Sequence, residues 1–176
     1  MSYFCVFGID PASIRNLGVA LLFVNEEKKP EVVLHDTVIL PDFDTDGARY
    51  KCIYDSLEEL LIKYEPSIVV MELSRGFGKS FVRQNLQESV GAMKLCCHNK
   101  GIKVVEIAPT HIKLIIAGSG KAKKGDIKKW VKNIVDMDKP KTEHEADAVA
   151  SVLTYFVDEK MIEPIHEPKI KKKKTK

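Results

Sequence analysis

The stretch Val6-Phe7-Gly8-Ile9-Asp10-Pro11-Ala12-Ser13 decides how the rest of the chain is read. Its apolar residues follow one another without helical spacing, which predicts a fully buried strand, and an acid followed by Pro11 marks where that strand stops. A carboxylate is thereby delivered to the end of a sheet strand, where it must be paired, hydrogen-bonded or holding a cation. Taken alone, Asp10 is equally a turn residue capping the loop before Pro11. The choice turns on whether other acids arrive at neighbouring strand and helix ends.

The frame around that strand is one of ordinary globular composition: 176 residues, 44% apolar and 30% charged, enough for one domain with a core of its own. No apolar run is long enough to span a bilayer, and Met1-Ser2-Tyr3-Phe4 lacks the basic region of a signal peptide, so an intracellular protein is expected. Cys5, Cys52, Cys96 and Cys97 match neither zinc-site nor disulfide spacing and are read as reduced thiols. The net charge of +3 is unevenly placed. Residues 169–176 hold six lysines and no acid, leaving 22 basic and 25 acidic residues in the body, a balance of −3. A second cluster, Lys121, Lys123, Lys124, Lys128, Lys129 and Lys132, faces the single acid Asp126. Such a cluster is either a phosphate-neutralising patch or a solvated helix face.

Past Asp10, apolar runs over 17–24 and 32–40 with short joins predict an antiparallel meander with the first strand. Tyr50, Ile53, Leu57, Leu60, Leu61 and Tyr64 recur at helical spacing up to Pro66, and Ile68-Val69-Val70-Met71-Glu72 repeats the pattern of a buried strand ending in an acid. Val82, Leu86, Val90, Met93 and Cys97 predict a long helix, whose stripe serves equally to cover the sheet or to join a second copy. A strand over 102–107, a short helix from Pro109 through Ile116 and a helix capped by Asp126 follow. Thr142-Glu143-His144-Glu145 reads as a capping box opening a last helix, with Ala146, Val149, Ala150, Leu153 and Val157 as its buried stripe. Asp147 lies just off that stripe, three residues after His144 and four after Glu143, so either can share its side. The domain is expected over 1–160, with a basic, unstructured tail over 161–176.

This order of elements predicts an α/β fold, a five-stranded mixed sheet flanked by helices. Asp10, Glu72 and Asp147 stand where three acids can converge. Oxygen ligands of this kind suit Mg²⁺ or Mn²⁺, and two such ions about 4 Å apart can activate a water and stabilise the leaving oxygen of a phosphodiester.

The motifs Gly8-Ile9-Asp10-Pro11-Ala12-Ser13 with Gly18-Val19-Ala20, Val70-Met71-Glu72, the stretch 104–120 with Lys113, and Glu145-Ala146-Asp147-Ala148-Val149-Ala150 together resemble the RuvC family of Holliday-junction resolvases, from about residue 4 to 157. The order and context of the acids carry the resemblance more than any one motif. It implies a ribonuclease H-like fold, a homodimer, Mg²⁺ or Mn²⁺, and symmetric nicking of four-way DNA junctions. By motif, Asp10 matches the family's first-strand acid, Glu72 its fourth-strand acid and Asp147 its final-helix acid. The remaining position, aspartate or histidine in the family, is His144 here. A neutral imidazole there can bind metal or position the attacking water, with activity falling at acidic pH. Glu143 is the rival for that place, since a helical wheel sets it nearer the buried stripe. The resemblance also implies a junction-opening probe in the loop after the second acid. Arg75 and Phe77 occupy that loop, with Lys79 just beyond as a further DNA contact. The aromatic position is shifted from the family pattern, although a base can stack on such a ring for ~1–3 kcal/mol. Lys113 and Lys124 resemble phosphate-contacting lysines, with Lys121 and Lys123 beside them. Arg15 followed by Asn16-Leu17-Gly18 is also similar to mitochondrial and poxvirus resolvases, which admits a phage, virus or archaeon as the source; the expected location is the cytoplasm or nucleoid or, for a viral protein, the host-cell compartment where the genome is processed.

Three other readings bear on the same residues. A junction-binding module without catalysis would have no need to bear the repulsion of clustered acids. A phosphotransferase loop at Gly118-Ser119-Gly120-Lys121 fails, because Ile115 stands where the first glycine belongs and Ala122 where Ser or Thr belongs. A nuclease of the same fold acting on flaps or other branched DNA is the alternative to a resolvase. A branch-migration partner is not legible.

Overall fold

The computed structural model describes residues 4–11, 15–73 and 81–166, apart from the side chains of residues 81–83 and 124. The elements, in order, are β1 (Cys5–Asp10), β2 (Asn16–Val24), β3 (Pro30–Ile39), α1 (Asp46–Tyr64), β4 (Ile68–Glu72), α2 (Phe81–Asn99), β5 (Lys103–Ile107), α3 (Pro109–Ala117), α4 (Lys124–Ile134) and α5 (Glu143–Asp158). They form the expected five-stranded sheet in the order β3-β2-β1-β4-β5. The β1–β2 and β2–β3 pairs are antiparallel, and the β1–β4 and β4–β5 pairs are parallel.

Strand alternation sends side chains to two separate cores. Phe7, Ile9, Val69 and Met71 face Ile53, Leu57 and Leu61 of α1 and Val90, Met93, Cys96 and Cys97 of α2. Val6, Ala20, Leu22 and Val70 face α5, which α3 and α4 cover in turn through Ile112, Ile116, Ile127 and Val131. Helix α5 is thus enclosed on nearly every side, and from Glu145 to Phe156 all its residues but Asp147 are buried. The single stripe expected of it is too narrow: Val152, Tyr155 and Phe156 are buried too, and Val157 is only partly so.

Local signals explain most boundaries. The Thr45 hydroxyl accepts the Ala48 N–H at 3.2 Å to start α1, and the chain turns at Glu65, just before Pro66. Gly101 takes a φ of +69° after α2, a conformation glycine adopts without strain. Asp126 is not the cap of α4. It lies inside the first turn, and its carboxylate accepts the N–H of Lys123, the capping residue, at 2.9 Å. The stripe of α2 resolves in favour of sheet cover for Val90, Met93 and Cys97, which are 4% exposed or less and cannot also meet a second copy; Leu86 is half-buried. The folded body also passes the expected boundary at 160. Ile162 is buried, Ile165 packs on the same core, and the His166 Nε2 lies 2.9 Å from the Ile116 carbonyl, its ring edge-on to Trp130.

Candidate active site

Strands β1 and β4 run parallel, with Ile9 opposite Met71, so Asp10 and Glu72 end neighbouring strands about 4.8 Å apart. Since Ile9 and Met71 point toward α1 and α2, both acids point to the opposite face, toward α5. Asp10 is 6% exposed and Glu72 half-buried.

Two glycines bring α5 down onto this edge. A Cβ on Gly8 would lie 2.4 Å from the Ala148 carbonyl oxygen, and one on Gly18 only 2.0 Å from that of His144. Gly18 is also the cross-strand partner of Asp10. The bare backbone beside Asp10 therefore seats the first turn of α5, and the His144 Nδ1 comes to 3.0 Å from Asp10 Oδ2. His144 meets Asp10, and Glu143 is exposed. Asp147 follows one turn along α5, half-buried.

Asp10 and His144 are thus in direct contact, Glu72 adjoins Asp10 across the strands, and Asp147 adjoins His144 along the helix. Among the described residues, no three His, Cys, Asp or Glu side chains are gathered closely enough to enclose a metal ion. The carboxylate oxygens of Asp10, Glu72 and Asp147 fit a hard divalent cation, and the imidazole nitrogen is the softer donor of the set.

A second polar cluster lies beside the first. Glu145 is 1% exposed. Its Oε2 accepts the Lys141 N–H at 3.1 Å and lies 3.0 Å from His35 Nδ1 of β3, while its Oε1 lies 3.3 Å from the Thr37 hydroxyl and 3.4 Å from that of Thr142. Burial pushes the Glu145 carboxyl up, but the His35, Lys141 and Thr37 hydrogen bonds outweigh it and hold the group below the usual carboxylate range. Half of the expected capping box forms: the Thr142 hydroxyl accepts the Glu145 N–H at 3.1 Å, whereas the Glu145 carboxylate is taken up by this cluster.

The other predicted residues fall into two groups. Lys113 is half-buried on α3, and Lys121 and Lys123 are exposed in the turn before α4. The Lys128 ammonium reaches the Lys141 carbonyl at 3.2 Å, setting the basic helix beside the same end of α5. Arg75, Phe77 and Lys79 lie outside the described residues, as does the side chain of Lys124.

Comparison with known proteins places the chain in a family. The family model described as crossover junction endodeoxyribonuclease RuvC matches residues 6–155. The chain belongs to the RuvC family. The crossover junction endodeoxyribonuclease RuvC of Prochlorococcus marinus (strain AS9601) is 34% identical over 151 residues, covering 85% of this chain and 94% of that protein. That of Caldanaerobacter subterraneus subsp. tengcongensis is 31% identical over 160 residues, covering 90% and 95%. Among solved structures, T. thermophilus RuvC in complex with Holliday junction substrate aligns with a TM-score of 0.79 at 24% identity, over 93% of this chain and all of that one. The yeast mitochondrial Holliday junction resolvase Ydc2 aligns at 0.64 and 14% identity, over 89% of this chain and 80% of that one. The fold is the ribonuclease H-like fold of RuvC, as the motifs implied. Reading the sequence missed the Glu145 cluster, because its partners His35 and Thr37 lie more than a hundred residues earlier in the chain.

Proposed function

We propose that this chain is a structure-specific DNA endonuclease that resolves four-way junctions by paired, metal-dependent nicks. One observation carries the reading: in a chain of the RuvC family, His144 meets Asp10 at the end of β1. Beside a carboxylate, which can only accept, the Nδ1–H tautomer of His144 is the one that donates a hydrogen bond to Asp10. The tautomer is then fixed with the Nε2 lone pair turned away, able to accept a proton from a water or to bind a cation. Asp10, Glu72, Asp147 and His144 are the residues that would hold Mg²⁺ or Mn²⁺, two ions in our reading. Such ions, when bound, lower the pKa of a water and neutralise charge on the scissile phosphate. Glu72, the last residue of β4, is followed in sequence by Arg75, Phe77 and Lys79, to which we assign opening of the junction centre. Lys113, Lys121, Lys123 and Lys124 neutralise the phosphates of an arm.

Each chain presents one Asp10–His144 pair and a junction needs two symmetric cuts, so the acting species is a homodimer. Val90 and Met93 are spent on the core, so the contact uses other surfaces. The test is a labelled, immobile four-way junction incubated with Mg²⁺ beside a flap and a plain duplex. Paired nicks in opposing strands of the junction support the reading. Preferred cutting of the flap moves the chain to another branched substrate, and binding without any nick leaves a junction-binding module.

A further inference from the structure

Glu145 is a buried carboxylate that the proposed chemistry does not use. An apolar side chain would fill the same space without a charge to satisfy, and burying a carboxylate is costly unless its oxygens are fully engaged. They are engaged here by groups from two separate parts of the chain: His35 and Thr37 on the edge strand β3, and Lys141 and Thr142 at the start of α5. The Thr37 and Thr142 hydroxyls lie 2.6 Å apart, so one donates to the other and joins strand to helix directly, and the remaining hydroxyl proton is the one left for Glu145 Oε1. Consecutive helical residues point about 100° apart, so a turn whose Glu145 is clamped to β3 has its rotation fixed, and with it the direction of His144. The Gly18 contact with the carbonyl and Cβ of His144 sets the height of that turn above the sheet, and the Glu145 clamp adds a second point that opposes its rotation.

We propose that Glu145, held by His35 and Thr37, is a positioning residue that aims His144 at Asp10 and fixes Asp147 one turn on. The inference rests on the nuclease reading above and deepens it. Groups that orient metal-site side chains typically matter about 10–100-fold, so Glu145→Ala should lower kcat for junction cleavage by that factor while leaving KM and metal-free junction affinity within about twofold. Glu145→Gln, which keeps an oxygen for the Lys141 N–H, should recover part of the loss. His35→Gln gives a milder variant should Glu145→Ala fail to fold.

Two measurements stand apart from activity. In the metal-free protein, hydrogen exchange at the amides of residues 143–147 should speed up by about tenfold in Glu145→Ala relative to wild type, while the strand amides stay protected. Calorimetric titration with Mn²⁺ should show affinity about tenfold weaker. Unchanged kcat, exchange and Mn²⁺ affinity would overturn the proposal, as would equal losses of junction binding and cleavage, which mark a purely structural part. If the wild-type protein cuts no junction, the nuclease reading falls, and exchange with Mn²⁺ affinity alone decides whether Glu145 positions the turn.

Discussion

On the face of Phe7, Ile9 and Met71, helices α1 and α2 meet the sheet through mostly apolar side chains and the Cys96 and Cys97 thiols, with Arg49, Asn85 and Ser89 as buried polar exceptions on these helices. On the face of Gly8, Asp10 and Gly18, helix α5 rests its own backbone on two glycines and brings an imidazole and a buried carboxylate with it. Both faces exclude water, but they use the exclusion differently. The first is mainly packing, where shape and volume carry most of the contact. The second is a seat for polar groups, whose mutual distances depend on how closely one helix approaches two strands. A site of this kind is set by backbone contact, and side-chain chemistry alone would not assemble it.

The largest difference between the faces should appear at Asp10. Asp10→Asn keeps the shape of the side chain and removes its charge, and junction cleavage should fall by about 10²–10³-fold with junction binding retained, the scale seen when a group acting on the transition state is lost. Loss of binding together with cleavage would make Asp10 structural. Next come two glycines, one for each face. Gly18→Ala would set a methyl 2.0 Å from the His144 carbonyl, so α5 must back away, costing roughly 1–3 kcal/mol in denaturant unfolding and moving His144 off Asp10. Gly91, exposed within α2, has nothing within 4 Å of an added Cβ, so Gly91→Ala should stabilise the fold by about 0.5–1 kcal/mol and leave cleavage untouched. Equal behaviour of the two variants would remove the distinction between the faces.

The basic surface on the outer side of α5's cover is the next test. Replacing Lys121, Lys123 and Lys124 together by Ala should flatten the logarithmic salt dependence of junction binding by up to about 0.9 for each phosphate no longer neutralised, without changing the rate of the bound complex. An unchanged slope would move the DNA path elsewhere.

How far the sequence carried these conclusions depends on the range of each contact. The strands ending in Asp10 and Glu72 were legible because an unbroken apolar run closed by an acid is a local pattern. His144 and Glu143 were not separable by spacing, since residues three and four before Asp147 both suit a helix. What brings His144 to Asp10 is the approach of α5 to the strands at Gly18, a contact between positions that lie in different elements. The burial of Glu145 was hidden for the same reason: the pattern Thr142 to Glu145 is a capping box wherever it occurs, and only β3, across the sheet, turns its carboxylate inward. The stripe of α2 was ambiguous until α1 and the sheet were seen to claim it.

The smallest effect belongs to the thiols of the packing face. Cys96 and Cys97 are fully buried, and burial pushes their thiols up to about 11 and about 12 from the ordinary 9.0. A thiol reagent at pH 8 should therefore label the half-buried Cys52, and Cys5 more slowly because burial raises its thiol as well, while sparing Cys96 and Cys97 until the protein unfolds. The same shift has a consequence for stability. Above pH 9 the unfolded chain gains thiolates that the folded chain still holds as thiols, so what these two groups contribute is fully present below pH 9 and is lost as the pH rises toward 11 and 12. By pH 10 the loss should be on the order of 1 kcal/mol per thiol, read as a fall in the denaturant midpoint that Cys96→Ala with Cys97→Ala abolishes. Because α5 and its polar cluster lie across the sheet from these thiols, hydrogen exchange at residues 143–147 should stay constant over the same pH rise once corrected for the intrinsic rate. If it loosens in step, the two faces open as one unit, and the separation between a packing face and a seating face holds only for the static fold.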